Sequence, residues 1–168
     1  MSVLCDRSIR RNNILTPCKP RTKFRGKSYG LSMCGYDVRV DIDSDPSLQG
    51  EPVWTPDGDG IRLEPGKSAL LSIIERFTMP TGVVGFVKDK STWSRQGLFM
   101  AQAVIEPGWE GFLSIRVVNN GDGAITIVHG EAIAQVVFHS LDATPENGGY
   151  DGKYQNQESG PQGPKFEA

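Results

Sequence analysis

The sequence predicts an all-β fold, a distorted β-barrel or jelly-roll-like sandwich, on the strength of its short apolar runs, the turns between them, and its composition. Apolar runs recur at Val83–Val87, Phe99–Ile105, Phe112–Val118, Ala124–Val128 and Ala132–His139. The turn-forming segments EPGWEG, NNGDG and HGE separate the later ones, at the close spacing of strands rather than helices. With 20 glycines and 11 prolines, the 168 residues must reverse direction often, and they suffice for one domain with a proper core.

The elements follow in order. Asp6 is placed to cap a short N-terminal helix through RSIRRNN, and Pro17 and Pro20 break the pattern after it. GYDVRVDI alternates as a strand, expected over Tyr36–Ile42. DSDPSLQGEPVWTPDGDG is dense in Pro, Gly and Asp and reads as a surface excursion or long hairpin with little chemistry. Strand-like IRLEPGKSALLSIIERFTMP closes it. From Asp142 onward periodicity is lost, so residues 1–141 are expected to form the β domain and residues 142–168 a tail. Composition alone makes that tail a disordered terminus. Lys153, Tyr154, Gln155 and Gln157 nevertheless supply a cation, an aromatic and amides, the parts of a lid over a polyphosphate.

Charge and cysteine content narrow the class of function. A formal net charge of -2 provides no bulk attraction to nucleic acid or anionic lipid, so a single small anionic ligand is expected rather than a polymer. Cys5, Cys18 and Cys34 form no CxxC pair, and MSVLCDRSIRR lacks a signal-type apolar core. A reduced, cytoplasmic setting is the expectation, and no segment is long enough to span a membrane as a helix.

The chemistry is expected to begin at KDKSTWSRQGL. Lys90, Ser91, Thr92 and Arg95 bring cations and hydroxyl donors together within a short stretch, which suits phosphate oxygens that take several charge-assisted hydrogen bonds. A solvated surface loop is the competing reading, because the segment has no Walker-type glycine frame.

Several segments then fix a resemblance. KSTWSRQGL resembles the triphosphate-holding loop of the dCTP deaminases, and IEPGWEG is similar to their I-D-P-G-F/W-x-G turn. CGYDVRV resembles the dUTPase A-G-Y-D-L-R motif, HGEAIAQVVF the P-G-x-x-I-x-Q motif of both branches, and KYQNQ and CDRSIRR the two ends of the deaminases. The chain is thereby identified as a member of the dCTP deaminase/dUTPase superfamily. The resemblance implies a homotrimer with sites at subunit interfaces, a tail that orders over a pyrimidine deoxynucleoside triphosphate, and Mg2+ bound through the substrate phosphates and waters. It also implies that Asp37 helps to hold the site or the magnesium's water shell, and that Gln135, Lys153 and Gln157 contact the ligand. The plainer alternatives are that Asp37 pairs with Arg39 or Arg116, and that Gln135 satisfies backbone groups near a strand end.

The reactive positions depart from the relatives. Counting without gaps along IEPGWEGFLSIRVVNNG places Arg116 where the deaminases hold their glutamate acid/base. A guanidinium offers N–H donors and no basic site, so it cannot do that work. An H-x-E followed later by P-C-x-x-C, the pattern of the zinc deaminases, is absent too, and the cysteines are scattered. Glu106 matches the dUTPase aspartate that orients water, with one methylene more; its plainer reading is a solvated turn residue. Arg116 allows three readings: an ion pair with Glu106 or Asp37, a contact to base or phosphates, or the mark of a site that binds without turnover. His129 and His139 read as ordinary surface or edge residues, and Trp93 and Trp109 as packing groups. The expected activity is dUTPase-like hydrolysis of dUTP or a related nucleotide to the monophosphate and pyrophosphate. A dCTP deaminase with a substituted catalytic residue and a silent nucleotide binder are the alternatives.

Overall fold

The computed structural model describes residues 2–42 and 51–166. The first eight residues of the predicted excursion, DSDPSLQG, lie outside the described residues. The regular structure of the described residues is almost entirely antiparallel sheet. The core strands are β3 (Lys27–Ser32), β4 (Gly35–Asp41), β7 (Ser68–Thr78), β8 (Val83–Asp89), β11 (Glu110–Asn119) and β13 (Ala132–Ser140). Shorter strands are β1 (Leu15–Thr16), β2 (Thr22–Phe24), β5 (Glu51–Thr55), β6 (Gly58–Leu63), β9 (Leu98–Met100), β10 (Val104–Ile105) and β12 (Ile125–Val128). One curled sheet runs in the order β10-β8-β13-β4-β7-β11-β9, and β12-β6-β5 forms a second, smaller one. The all-β expectation therefore holds.

Period-two patterning explains the layering. On β4, Tyr36, Val38 and Val40 alternate with Asp37, Arg39 and Asp41, so one face enters the core and the other carries charge. Leu71 and Ile73 of β7, Ile115 and Val117 of β11, and Val136 and Phe138 of β13 complete the core. Phe77 packs tilted against both Trp109 and Phe138, at centroid separations of 6.4 and 6.2 Å.

Several local expectations are corrected. The helix α1 spans Asp6–Arg11, but Cys5 occupies the N-cap; Asp6 instead lies in the first turn, where its carboxylate accepts from the Arg7 amide. IRLEPGKSALLSIIERFTMP is two strands, because Glu64–Lys67 makes a reverse turn with Gly66 at φ +77°. Phe99–Ile105 is likewise split, into β9 on β11 and β10 on β8. His129, read as an ordinary surface or edge residue, lies 3.5 Å from Asp41 and accepts the Ile42 amide at Nδ1.

The tail is not the disordered terminus that composition implies. Gln157 bridges Gly111 in parallel, and the amides of Gly160 and Gln162 donate to the hydroxyls of Ser72 and Ser114. Tyr150 packs against the core, and hydroxyls and backbone groups on β7 and β11 offer the rest of the tail a template, which composition cannot reveal.

Candidate active site

The first cluster forms around KSTWSRQGL. Its centre folds as a single helical turn, α2 (Ser91–Ser94), with Lys90 at the N-cap. Trp93 fixes that turn: its buried indole donates to the Ala132 carbonyl at 2.7 Å, and the Lys27 ammonium sits 4.4 Å from its ring centroid. Lys27 is also bonded to the buried Glu131 at 2.8 Å, which ties β3 to the turn before β13.

Lys90 turns inward rather than toward solvent. Its ammonium lies 2.6 Å from Asp37 Oδ2 and 3.2 Å from Ser28 Oγ, and the two charged side chains are only 8% and 5% exposed. Asp37 thus pairs with neither Arg39 nor Arg116. Arg39 is taken by Glu75 at 2.8 Å, and Lys90 reaches Asp37 because the β4–β13–β8 register aligns Asp37, Gln135 and Lys88 across one face. Ser91, Thr92 and Arg95 stay exposed, and their side chains make no hydrogen bond or ion pair among the described residues. Gln135 donates to Ser32 at 3.2 Å and lines a separate hollow with Arg10 and Arg21.

The second cluster surrounds a cavity of about 540 Å³ between β7, β10, β11 and the tail. Leu70, Val104, Ile105, Trp109 and Leu113 supply apolar walls. Glu106 and Arg116 both line it, and among the described lining residues they are its one carboxylate and its one cation. No ion pair joins them, because Arg116 Nη1 donates instead to Ser68 Oγ at 3.2 Å. The structural ion pair offered for Arg116 is therefore not formed. Glu106 begins a turn closed by the Trp109 amide onto its carbonyl, with its carboxylate exposed and unbonded among the described residues.

The tail is stitched to this turn. The Tyr150 amide donates to the Pro107 carbonyl at 2.7 Å, and the Trp109 indole to the Tyr154 carbonyl at 2.7 Å. Gln155 clasps the turn, accepting from the Glu110 amide and donating to the Gly108 carbonyl. Gln157 lines the cavity, but its amide is spent on Phe112 O and Ser114 Oγ. Lys153 stays exposed at the rim of the tail, 5.6 Å from the Tyr154 ring centroid. Tyr150, Ser114 and Gln162 line the cavity without having been singled out in the sequence; only their place beside recognised motifs hinted at them.

Away from the cavity, burial pushes the Glu75 carboxyl above the usual carboxylate range despite its bonds to the Arg39 amide and guanidinium. Burial, with the neighbouring Glu75 charge, also raises the Tyr36 hydroxyl, which donates to the Pro17 carbonyl at 3.0 Å. No group of three or more His, Cys, Asp or Glu able to hold a metal occurs among the described residues. Asp37, committed to Lys90, is not a free ligand. The described residues thus do not form a protein metal site.

The dCTP deaminase-like family model matches residues 32–141, and the chain belongs to that family. The dCTP deaminase of Gemmatimonas aurantiaca is 32% identical over 166 residues, covering 90% of each chain. That of Thermococcus sibiricus is 29% identical over 156 residues, covering 93% of each. Among solved structures, the dUTPase of Staphylococcus bacteriophage 80alpha matches 80% of this chain and 94% of its own, with a TM-score of 0.53 at 20% identity. That likeness establishes the fold, and the family makes this a chain of the dCTP deaminase/dUTPase nucleotide enzymes. No helix among the described residues is long and apolar enough to cross a membrane.

Proposed function

We propose that the protein hydrolyses dUTP, or a closely related pyrimidine deoxynucleoside triphosphate, to the monophosphate and pyrophosphate, and does not deaminate dCTP. One observation carries this reading: Glu106 is the one carboxylate among the described residues lining the cavity, and its one cation is Arg116, which the resemblance sets at the deaminase glutamate position. Glu106 holds a water by accepting its hydrogen bond. The water oxygen attacks the α-phosphorus, the bond from that phosphorus to the bridging oxygen breaks, and pyrophosphate leaves; the water's proton passes to Glu106 and then to solvent. Ser91, Thr92 and Arg95 hold the phosphates, and Lys90, bound to Asp37, sets the turn that presents them.

None of these α2 residues lines the Glu106 cavity, and neither does Gln135. That separation supports a homotrimer in which different chains complete one site, with residues 142–168 closing over the ligand and Lys153 reaching its phosphates. Magnesium, carried on substrate phosphates and waters, would offset their charge.

The test follows pyrophosphate and ammonia separately, with dUTP and dCTP as substrates in magnesium. Pyrophosphate from dUTP without ammonia from dCTP is expected. Ammonia from dCTP would overturn the reading, and binding without either product would leave a nucleotide binder.

A further inference from the structure

The apolar interior of the cavity beside Glu106 is a poor place for the β- and γ-phosphates. Several negative charges would meet an apolar wall, a carboxylate and a single guanidinium. The uncommitted hydroxyls and cation of α2 suit phosphate better, and none of them lines the cavity. What fits flat apolar walls with a few polar groups is the base.

Arg116 decides what edge that base must show. Of its N–H groups only one at Nη1 is used, on Ser68 Oγ at 3.2 Å, so the others are free for a ligand. The nearest wall hydroxyl on the same strand, Ser114, already accepts from Gln157 Nε2 and the Gln162 amide. A guanidinium can only donate. With ring position 4 set toward Arg116, uracil and thymine present a carbonyl acceptor, whereas cytosine presents an amino donor. Donor set against donor leaves both unsatisfied.

We infer that Arg116 is a specificity-determining residue that selects 4-oxo pyrimidine nucleotides and disfavours 4-amino ones. The inference rests on the cavity being the nucleotide site proposed above, but not on hydrolysis taking place there. Because Arg116 is partly exposed, water softens the mismatch, and the discrimination expected is about tenfold rather than the far larger ratios of a sealed polar pocket.

The experiment measures dissociation constants by titration calorimetry, with magnesium, for the hydrolysis-resistant α,β-imido analogues of dUTP, dTTP and dCTP. The wild-type protein is expected to bind both 4-oxo analogues about tenfold or more tightly than the dCTP analogue. Arg116→Gln, whose carboxamide both donates and accepts, is expected to bring the ratio within about threefold. Arg116→Met is expected to weaken the dUTP analogue about tenfold and leave the dCTP analogue unchanged. Thermal unfolding of both variants checks that the fold is retained. Equal wild-type affinities, no binding at all, or a ratio that survives both substitutions would overturn the inference. Pyrophosphate release without base preference would sink it and leave the hydrolytic reading standing; preference without pyrophosphate would do the reverse.

Discussion

Beside α2, Lys90 and Asp37 are buried and paired, whereas at the cavity Glu106 and Arg116 are exposed and not joined to each other. Lys90 and Asp37 sit 2.6 Å apart under a turn locked by Trp93, and Ser28 adds a further bond to the ammonium. Glu106 and Arg116 line one cavity without bonding to each other. The first arrangement spends its electrostatics on holding a shape. The second leaves its groups available for a ligand, and the tail, not the sheet, completes the walls.

Breaking each region should therefore give opposite results. The largest effect on stability is expected from Lys90→Met, which leaves the buried Asp37 carboxylate without its cation, with only the Ser28 hydroxyl to bond it, at a cost of about 3–5 kcal/mol in urea unfolding. Adding Asp37→Leu should recover most of that loss, because an apolar pair tolerates burial. Glu106→Gln should do the reverse: pyrophosphate release is expected to fall roughly 10²–10³-fold, with unfolding unchanged within about 0.5 kcal/mol. Equal losses of stability at both positions would remove the contrast.

Gly111→Ala sharpens the comparison from the tail's side. Gly111 stands at φ +141°, and a Cβ there would meet the Gln157 backbone at 2.7 Å. The substitution is expected to cost about 1–3 kcal/mol and to free the tail for proteolysis, while the α2 turn keeps its protection in hydrogen exchange. The smallest effect concerns pH. Burial raises the folded-state carboxyl of Glu75, so the folded protein holds that proton more tightly than the unfolded chain. Its stabilising contribution is full below the ordinary carboxylate range and is lost as pH rises through the raised value. Urea unfolding from about pH 4 to about pH 7 should show that decline, and Glu75→Gln should flatten it.

Much of the fold was legible because period-two alternation survives in GYDVRV and in the run ending at Phe138, where one face is core and the other is not. The turn at EPGW was legible for a similar local reason, since Pro107 and Gly108 punctuate it. The direction of Lys90 was not, because a lysine beside hydroxyls looks the same whether it meets phosphate or a buried aspartate 53 positions away. The tail misled for the complementary reason. Its backbone amides carry no apolar signal, yet those of Gly160 and Gln162 donate to the hydroxyls of Ser72 and Ser114, which no composition encodes.

The sequence by itself determined the family and the β architecture, since these lie in local pattern and motif. Only the tertiary structure decided that Lys90 is committed to Asp37, that Arg116 and Glu106 share a cavity without pairing, and that the tail stitches itself to the Glu106 turn. Those outcomes depend on which strands lie side by side, and strand register is set by burial of the whole sheet rather than by any one segment.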